Sequence, residues 1–352
     1  MSKGTLILVT VLSAAATLAG QQQPAGPEQD VFKFKSGIEL INVTATVSDQ
    51  NGRFVSGLQK DDFVVYEDDH PQTFTHFSAE RVPVSLGIAL DTSGSMAGEK
   101  IEEARRALDH FIFDLLDERD EVFLYRFSNA PVLLQGWTSD RQVLIRALGR
   151  IMPNGGTAMY DAVVEAVPMA GTGRYHKKAV LVISDGNDTS SRAGVHEVRQ
   201  LVRANEVLVY AIGIDGEAEA IYSRPPSPPI RPRPPMPIPF PFPGGRRPFP
   251  GGLQLPQIQP RGGGWQRGAR GDERVNVVAL RDMTDDSGGR TEIVRDARDL
   301  NPATESIADE LSKQYYLGYA ASGQKDGRWH SIRLEVKNRG YRVRARSGYT
   351  AS

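Results

Sequence analysis

The stretch that most constrains this chain is Asp91-Thr92-Ser93-Gly94-Ser95, which directly follows the apolar run from Val84 to Leu90. A short, β-prone and almost wholly apolar run is typical of a strand buried on both faces. After Gly98, apolar residues recur at three- and four-residue steps, which predicts an amphipathic helix. Strand, polar loop and helix begin a βαβ unit, and ligand sites in such sheets lie beyond the carboxyl ends of the strands. The loop therefore lies where a binding site is expected.

The side chains of this loop offer only oxygen donors, namely one carboxylate (Asp91) and hydroxyls that include Ser93 and Ser95. Hard cations such as Mg²⁺ take oxygen ligands and usually keep waters or accept ligands from a partner. One carboxylate carries too little charge for a dication, so further oxygens must come from elsewhere in the fold. Two later loops can supply them: Thr157 follows a Gly-Gly turn, and Asp185 follows a second buried-strand pattern.

These three separated motifs resemble the von Willebrand factor A domain over roughly residues 84 to 314. In that family the three loops form the metal-ion-dependent adhesion site (MIDAS), which integrin I domains share. The resemblance implies five metal-site residues: Asp91, Ser93, Ser95, Thr157 and Asp185. It also implies that the hydroxyls contact the metal directly, that one or both aspartates act through water, and that a partner's carboxylate takes the open position. Mg²⁺ is the expected cation, with Mn²⁺ and Ca²⁺ as alternatives.

Other interpretations of the loop explain fewer residues. Asp91-Thr92-Ser93 is similar to the Asp-Thr-Gly signature of aspartic proteases, but Ser93 replaces the glycine and no second copy supplies a paired carboxylate. A serine nucleophile would need an ordered base, and the six histidines are scattered. Helix capping by Asp91 or Ser95 accounts for one residue and leaves Thr157 and Asp185 without a role.

The net charge and the absence of cysteine exclude several classes of function. A formal net charge of −1 gives no general attraction to nucleic acid, and none is expected as a partner. The chain has no cysteine, which excludes disulfides, thiol catalysis and thiolate metal sites.

The first residues have the pattern of an export signal. Lys3 gives a positive start, Thr5 to Leu12 is apolar, and small residues follow up to Gly20. We therefore predict a signal peptide over 1–20, a linker over 21–30 and a periplasmic or secreted protein. An uncleaved signal that anchors the chain is the alternative.

A Pro/Gly/Arg-rich insertion is predicted over 222–272. It contains 15 of the 23 prolines and is cationic, with aromatic residues interleaved. It interrupts the A-like domain, whose parts are predicted at 83–221 and 273–314. One interpretation is a docking arm for a partner or an anionic envelope polymer, and the other is a tolerated surface loop.

The flanking segments 31–82 and 315–352 have β spacing, and Asn51-Gly52 indicates a hairpin. The C-terminal segment is too small to bury a core alone, so we predict that it pairs with the N-terminal one into one small β-sandwich, with the A-like domain inserted between the halves. The predicted fold class is α/β, a doubly wound and mostly parallel sheet with this sandwich beside it.

The leading functional hypothesis is a non-enzymatic, extracytoplasmic module that captures a partner's Asp or Glu through the metal. Loop residues around the site are expected to set selectivity: Met96, Asn154, Met159, Tyr160 and Asn187. The alternatives are an envelope scaffold acting through the cationic arm and a metal-dependent hydrolase.

Overall fold

The computed structural model describes residues 40–185, 188–214, 275–321 and 326–351. The predicted signal peptide, the linker and the proline-rich insertion all lie outside these ranges. Within them, no helix has both the length and the apolar character needed to cross a bilayer.

A six-stranded sheet forms the centre of the A-like domain. Its strands are β5 (Val84–Asp91), β6 (Glu121–Phe127), β7 (Pro131–Thr138), β8 (Lys177–Ser184), β9 (Leu208–Ile214) and β10 (Thr291–Val294). They lie in the order β10-β9-β8-β5-β6-β7, and all neighbours are parallel except the edge strand β7, which is antiparallel to β6. Every residue of β5 and β9 is buried, as their continuous apolar sequences require.

Helices cover both faces of this sheet. They are α1 (Glu99–His110), α2 (Arg141–Leu148), α3 (Met159–Gly171), α4 (Val195–Ala204), α5 (Val277–Thr284) and α6 (Leu300–Lys313). Apolar side chains of α1, α2 and α6 share one core with the sheet, and those of α3, α4 and α5 share another. The predicted doubly wound α/β class is confirmed.

The flanking segments form two antiparallel sheets. The N-terminal strands are β1 (Leu40–Ser48), β2 (Phe63–Glu67), β3 (His70–Gln72) and β4 (Phe74–Ser78), and the C-terminal strands are β11 (Tyr315–Ala320), β12 (Trp329–Val336), β13 (Arg342–Arg344) and β14 (Gly348–Thr350). One sheet has the order β13-β1-β11-β4 and the other β14-β12-β2-β3. Both contribute to one apolar core, so the predicted sandwich is confirmed as part of the fold class. The residue boundaries of the domains stay a prediction.

The hairpin predicted at Asn51-Gly52 forms and is short. The Asp49 N–H donates to the Arg53 carbonyl at 2.9 Å, the Val55 N–H donates to the Val47 carbonyl at 2.8 Å, and Ser48 bridges Phe54. The longer ladders of β1 are made with the C-terminal strands β11 and β13.

A buried polar network joins the last helix of the A-like domain to the sandwich. Glu310 of α6 is fully buried, and its Oε1 accepts hydrogen bonds from Thr46 and Tyr210, both at 2.9 Å, and from Arg344. Its Oε2 accepts one from Arg290 at 2.8 Å. Because these donors come from β1, β9, β13 and the residue directly before β10, the end of α6 is fixed to both parts of the molecule.

Candidate metal site

Asp91 is the last residue of β5 and has no exposed surface. Its Oδ1 accepts a hydrogen bond from the Ser93 backbone N–H at 2.8 Å, and its Oδ2 accepts one from the Ser184 hydroxyl at 2.5 Å. Burial raises the pKa of Asp91 to about 6; the hydrogen bonds from Ser184 and Ser93 oppose this shift, and the charge of Asp185 adds to it. A buried carboxyl next to a second one favours a cation between or beside them.

Asp185 follows β8 at the same edge of the sheet. The Ser95 hydroxyl donates to its Oδ1 at 2.8 Å, and the Ser93 and Ser95 hydroxyl oxygens are 3.0 Å apart. The Lys100 ammonium donates to Asp185 Oδ2 at 2.6 Å. Four of the five residues predicted for the site, Asp91, Ser93, Ser95 and Asp185, therefore lie in one hydrogen-bonded group.

The fifth residue, Thr157, lies on a loop that is bonded to the first one. The Gly94 N–H donates to the Gly155 carbonyl at 3.0 Å, and the Asn154 N–H donates to the Thr92 carbonyl at 2.8 Å. Thr157 itself is buried, with 4% of its surface exposed. Its hydroxyl has no hydrogen-bond partner among the described residues, which leaves this oxygen available to a ligand.

The Gly-Gly turn before Thr157 is required by close packing. Gly155 has φ +79°, and a Cβ on Gly156 would lie 2.3 Å from the Ser190 hydroxyl oxygen. Asn129 fixes the turn, because its Oδ1 accepts a hydrogen bond from the Gly156 N–H at 2.6 Å. A larger residue at Gly156 would displace the Ser190 side chain or the loop that carries Thr157.

Sequence reasoning missed two residues of this group, Ser184 and Lys100. Ser184 is a hydroxyl at the end of an otherwise apolar strand, directly before Asp185. Lys100 lies in the first turn of α1, where a positive charge opposes the helix dipole. That unfavourable position is the signal in the sequence that Lys100 has a partner elsewhere.

The prediction of selectivity residues needs correction. Met96 and Met159 are fully buried in the two cores of the A-like domain and contribute packing there. Asn154 is exposed, Tyr160 is half-buried, and Asn187 lies outside the described residues. Met152, which was not predicted, is 75% exposed at the start of the Thr157 loop.

The donor set fits a hard divalent cation. Two carboxylates and three hydroxyls supply only oxygen, as Mg²⁺, Mn²⁺ and Ca²⁺ prefer. Among the described residues, no three His, Asp or Glu side chains gather as a metal-ligand cluster. A metal here would therefore depend on the hydroxyls as well as the two carboxylates. The Lys100 ammonium is the positive charge that contacts this group of residues.

Fold and site together define a doubly wound α/β domain with an oxygen-lined polar cluster at the carboxyl edge of its sheet. Residues 86–187 match the von Willebrand factor type A domain, the family that the sequence motifs resemble. All five predicted site residues fall inside the matched region.

Several known proteins are similar to this chain, and the share of the chain that they cover differs. Mouse (Mus musculus) inter alpha-trypsin inhibitor, heavy chain 4, is 25% identical over 198 residues, which cover 52% of this chain and 19% of that protein. The chain thus matches about a fifth of the length of this relative. A von Willebrand factor type A structure from Catenulispora acidiphila is 14% identical and has a TM-score of 0.46, with 90% of this chain and 74% of that one covered. Proximal thread matrix protein 1 of the mussel byssus, with zinc in its MIDAS motif, is 13% identical with a TM-score of 0.45, over 70% and 50%.

Proposed function

We propose that this chain is a non-enzymatic, extracytoplasmic binding protein. A divalent cation held by Asp91, Ser93, Ser95, Thr157 and Asp185 captures an Asp or Glu side chain of a protein partner. The observation that carries the proposal is the meeting of Asp91, Ser93, Ser95 and Asp185 in one hydrogen-bonded group beside the Thr157 loop.

The site chemistry supports a metal that keeps one position for an outside ligand. The three hydroxyls are neutral, and only the two carboxylates carry negative charge. The protein therefore offers few anionic ligands to the metal. Mg²⁺ retains waters or takes ligands from a partner in such sites. When bound, the cation supplies the positive charge that a partner carboxylate recognises.

The extracytoplasmic location is supported by the sequence of residues 1–20. A positive start, an apolar segment and small residues near Gly20 are the features that export machinery recognises. Sequencing the N-terminus of the protein recovered from outside the cytoplasm tests this part, and an intact Met1 on protein confined to the cytoplasm contradicts it.

The metal site is tested most sharply by Thr157→Val, which removes one hydroxyl and keeps the side-chain shape. Titration calorimetry with Mg²⁺, Mn²⁺ and Ca²⁺ is expected to show one saturable site in the parent protein, and an affinity weakened about tenfold or more in the variant. Stability in EDTA should stay the same, because this hydroxyl has no hydrogen-bond partner among the described residues. Thr350→Val, in the sandwich strand β14, is the matched control.

Partner capture has its own test. Pull-downs in Mg²⁺ and in EDTA should recover a protein only with the metal, and mutation of one Asp or Glu on that protein should abolish its recovery. Capture that persists in EDTA contradicts a metal-dependent mechanism. Metal-dependent turnover of an ester or peptide library would favour the hydrolase alternative.

A scaffold acting through the cationic arm is the second candidate. The predicted arm, residues 222–272, falls between Ile214, the last residue of β9, and Val275, which lies against Gly213. Gly213 pairs with Ser184, so β9 and Val275 are next to the strand that leads to Asp185. Deleting residues 222–272 separates the candidates, since loss of capture favours the arm and retained capture favours the metal site.

A further inference from the structure

Lys100 is the charged neighbour of the site that the five-residue pattern does not include. Its ammonium lies 2.6 Å from Asp185 Oδ2, with the Lys100 side chain 14% exposed and the Asp185 side chain fully buried. The other oxygen of Asp185 accepts the Ser95 hydroxyl. Both oxygens of this carboxylate are therefore engaged, one of them by a full positive charge.

The formal charges of the group can be added directly. Asp91 and Asp185 contribute −2 and Lys100 contributes +1, which leaves −1 for the protein side of the site. A dication brings the total to +1. Without Lys100 the same sum is zero, so a bound dication would be fully compensated by the protein.

We propose that Lys100 is the residue that makes the site depend on an outside carboxylate. The inference rests on the proposed function, since it concerns the same metal. By compensating Asp185, Lys100 weakens the hold of the protein on a dication and leaves one positive charge for a partner's Asp or Glu. Metal and carboxylate then strengthen each other's binding, and the metal alone is held weakly.

Loss of the Lys100 charge and structural damage to the site are expected to change the metal affinity in opposite directions. A substitution that disorders the site weakens metal binding. Removing only the charge of Lys100 strengthens it, because a positive charge close to a partly buried dication site is repulsive at the low effective dielectric there. Lys100→Met keeps the length and apolar stem of the side chain, and Lys100→Arg keeps the charge.

The test uses Mn²⁺ as the metal probe and acetate as the carboxylate probe, on the full chain. In the parent protein, acetate is expected to tighten Mn²⁺ binding relative to chloride at equal ionic strength. In Lys100→Met, Mn²⁺ alone should bind about tenfold more tightly, and acetate should add little. Lys100→Arg should behave like the parent. Lys313→Met, at the exposed end of α6, controls for net charge and should change nothing.

Thermal unfolding gives a second readout that does not depend on acetate. In EDTA, Lys100→Met leaves Asp185 buried without its cation, so its Tm should fall. Mn²⁺ should then raise the Tm of this variant by more than it raises that of the parent. Equal or weaker Mn²⁺ affinity in Lys100→Met overturns the role of Lys100 while the metal site stands. Absence of any cation binding by the parent protein overturns both.

Discussion

The Ser184 hydroxyl donates a 2.5 Å hydrogen bond to Asp91 Oδ2, from the end of β8 to the end of the adjacent strand β5. The bond orients a carboxylate that has no access to solvent. Outer partners of this kind fix metal ligands and tune their affinity.

Ser184→Ala is therefore expected to weaken Mg²⁺ binding about tenfold and to lower the free energy of unfolding in EDTA by about 1–2 kcal/mol. Calorimetric titration and urea denaturation measure the two effects. Ser56→Ala, on an exposed loop, should change neither. A loss of stability with unchanged metal affinity would show that the bond supports only the fold.

Gly156→Ala tests the packing of the loop that carries Thr157. The added Cβ would lie 2.3 Å from the Ser190 hydroxyl oxygen and 3.1 Å from that of Thr189, so either these side chains or the loop must move. We expect metal binding to fall at least about tenfold, because ligand geometry changes by more than a metal site tolerates. Gly136→Ala, where a Cβ meets no atom within 4 Å, is the control. Unchanged metal affinity in Gly156→Ala would mean that the side chains of Ser190 and Thr189 make room and that the loop keeps its place.

Glu310→Gln removes the charge at the centre of the junction between α6 and the sandwich. Arg344 and Arg290 would lose their buried counter-ion, and we expect a loss of about 3 kcal/mol in the free energy of unfolding. Glu305→Gln, exposed on the same helix, should cost little. A loss below about 1 kcal/mol would show that the ion pairs only offset their own desolvation.

The difference in stability between the parent and Glu310→Gln is also expected to depend on pH. Burial acts to raise the pKa of Glu310, but the charges and hydrogen bonds of Arg344 and Arg290 outweigh it and hold the pKa below 4.5. The contribution of this carboxylate is therefore present above pH 4.5 and is lost as the pH falls through the lower, folded-state pKa. Urea denaturation of parent and variant should show their difference narrowing below about pH 4. A difference that stays constant with pH would contradict the role of the charge.

His330 makes the sandwich respond to pH in the opposite direction. Its hydrogen bond to Asp68 at 2.7 Å raises its pKa, and a second one to Asp326 at 3.3 Å adds to the shift. Since the folded-state pKa lies above the usual 6.5, this stabilisation is complete below that pH and is lost as the pH rises through the folded-state pKa.

Thermal melts of the parent between about pH 6 and pH 8 should show a decline that His330→Gln reduces. His196→Gln, exposed on α4, is the control. An identical pH profile for parent and His330→Gln would mean that the charge on His330 does not stabilise the fold.

The sequence was informative where structure is local. Continuous apolar runs located β5 and β8, and three-to-four-residue spacing located α1. The site aspartates could be placed because each directly follows a buried strand. Ser184 and Lys100 could not, because their partners lie 93 and 85 residues away along the chain and no periodicity records such pairings. The ladder partners of β1 could not be assigned for the same reason, since β11 and β13 lie near the other end of the chain.

Each sheet of the sandwich combines N-terminal with C-terminal strands, and this sets an order of events in folding. Leu40 of β1 pairs with Ala320 of β11, and β2 pairs with β12, so the N-terminal strands need partners that are synthesised after the whole A-like domain. Until then their backbone edges are unpaired and open to other chains. The completed sandwich closes the chain on both sides of the A-like domain, and pairing of strands so far apart along the chain is slow to form. Cleavage that removed β11 to β14 would therefore take away the neighbouring strands of β1 and β4 and one of the two neighbours of β2.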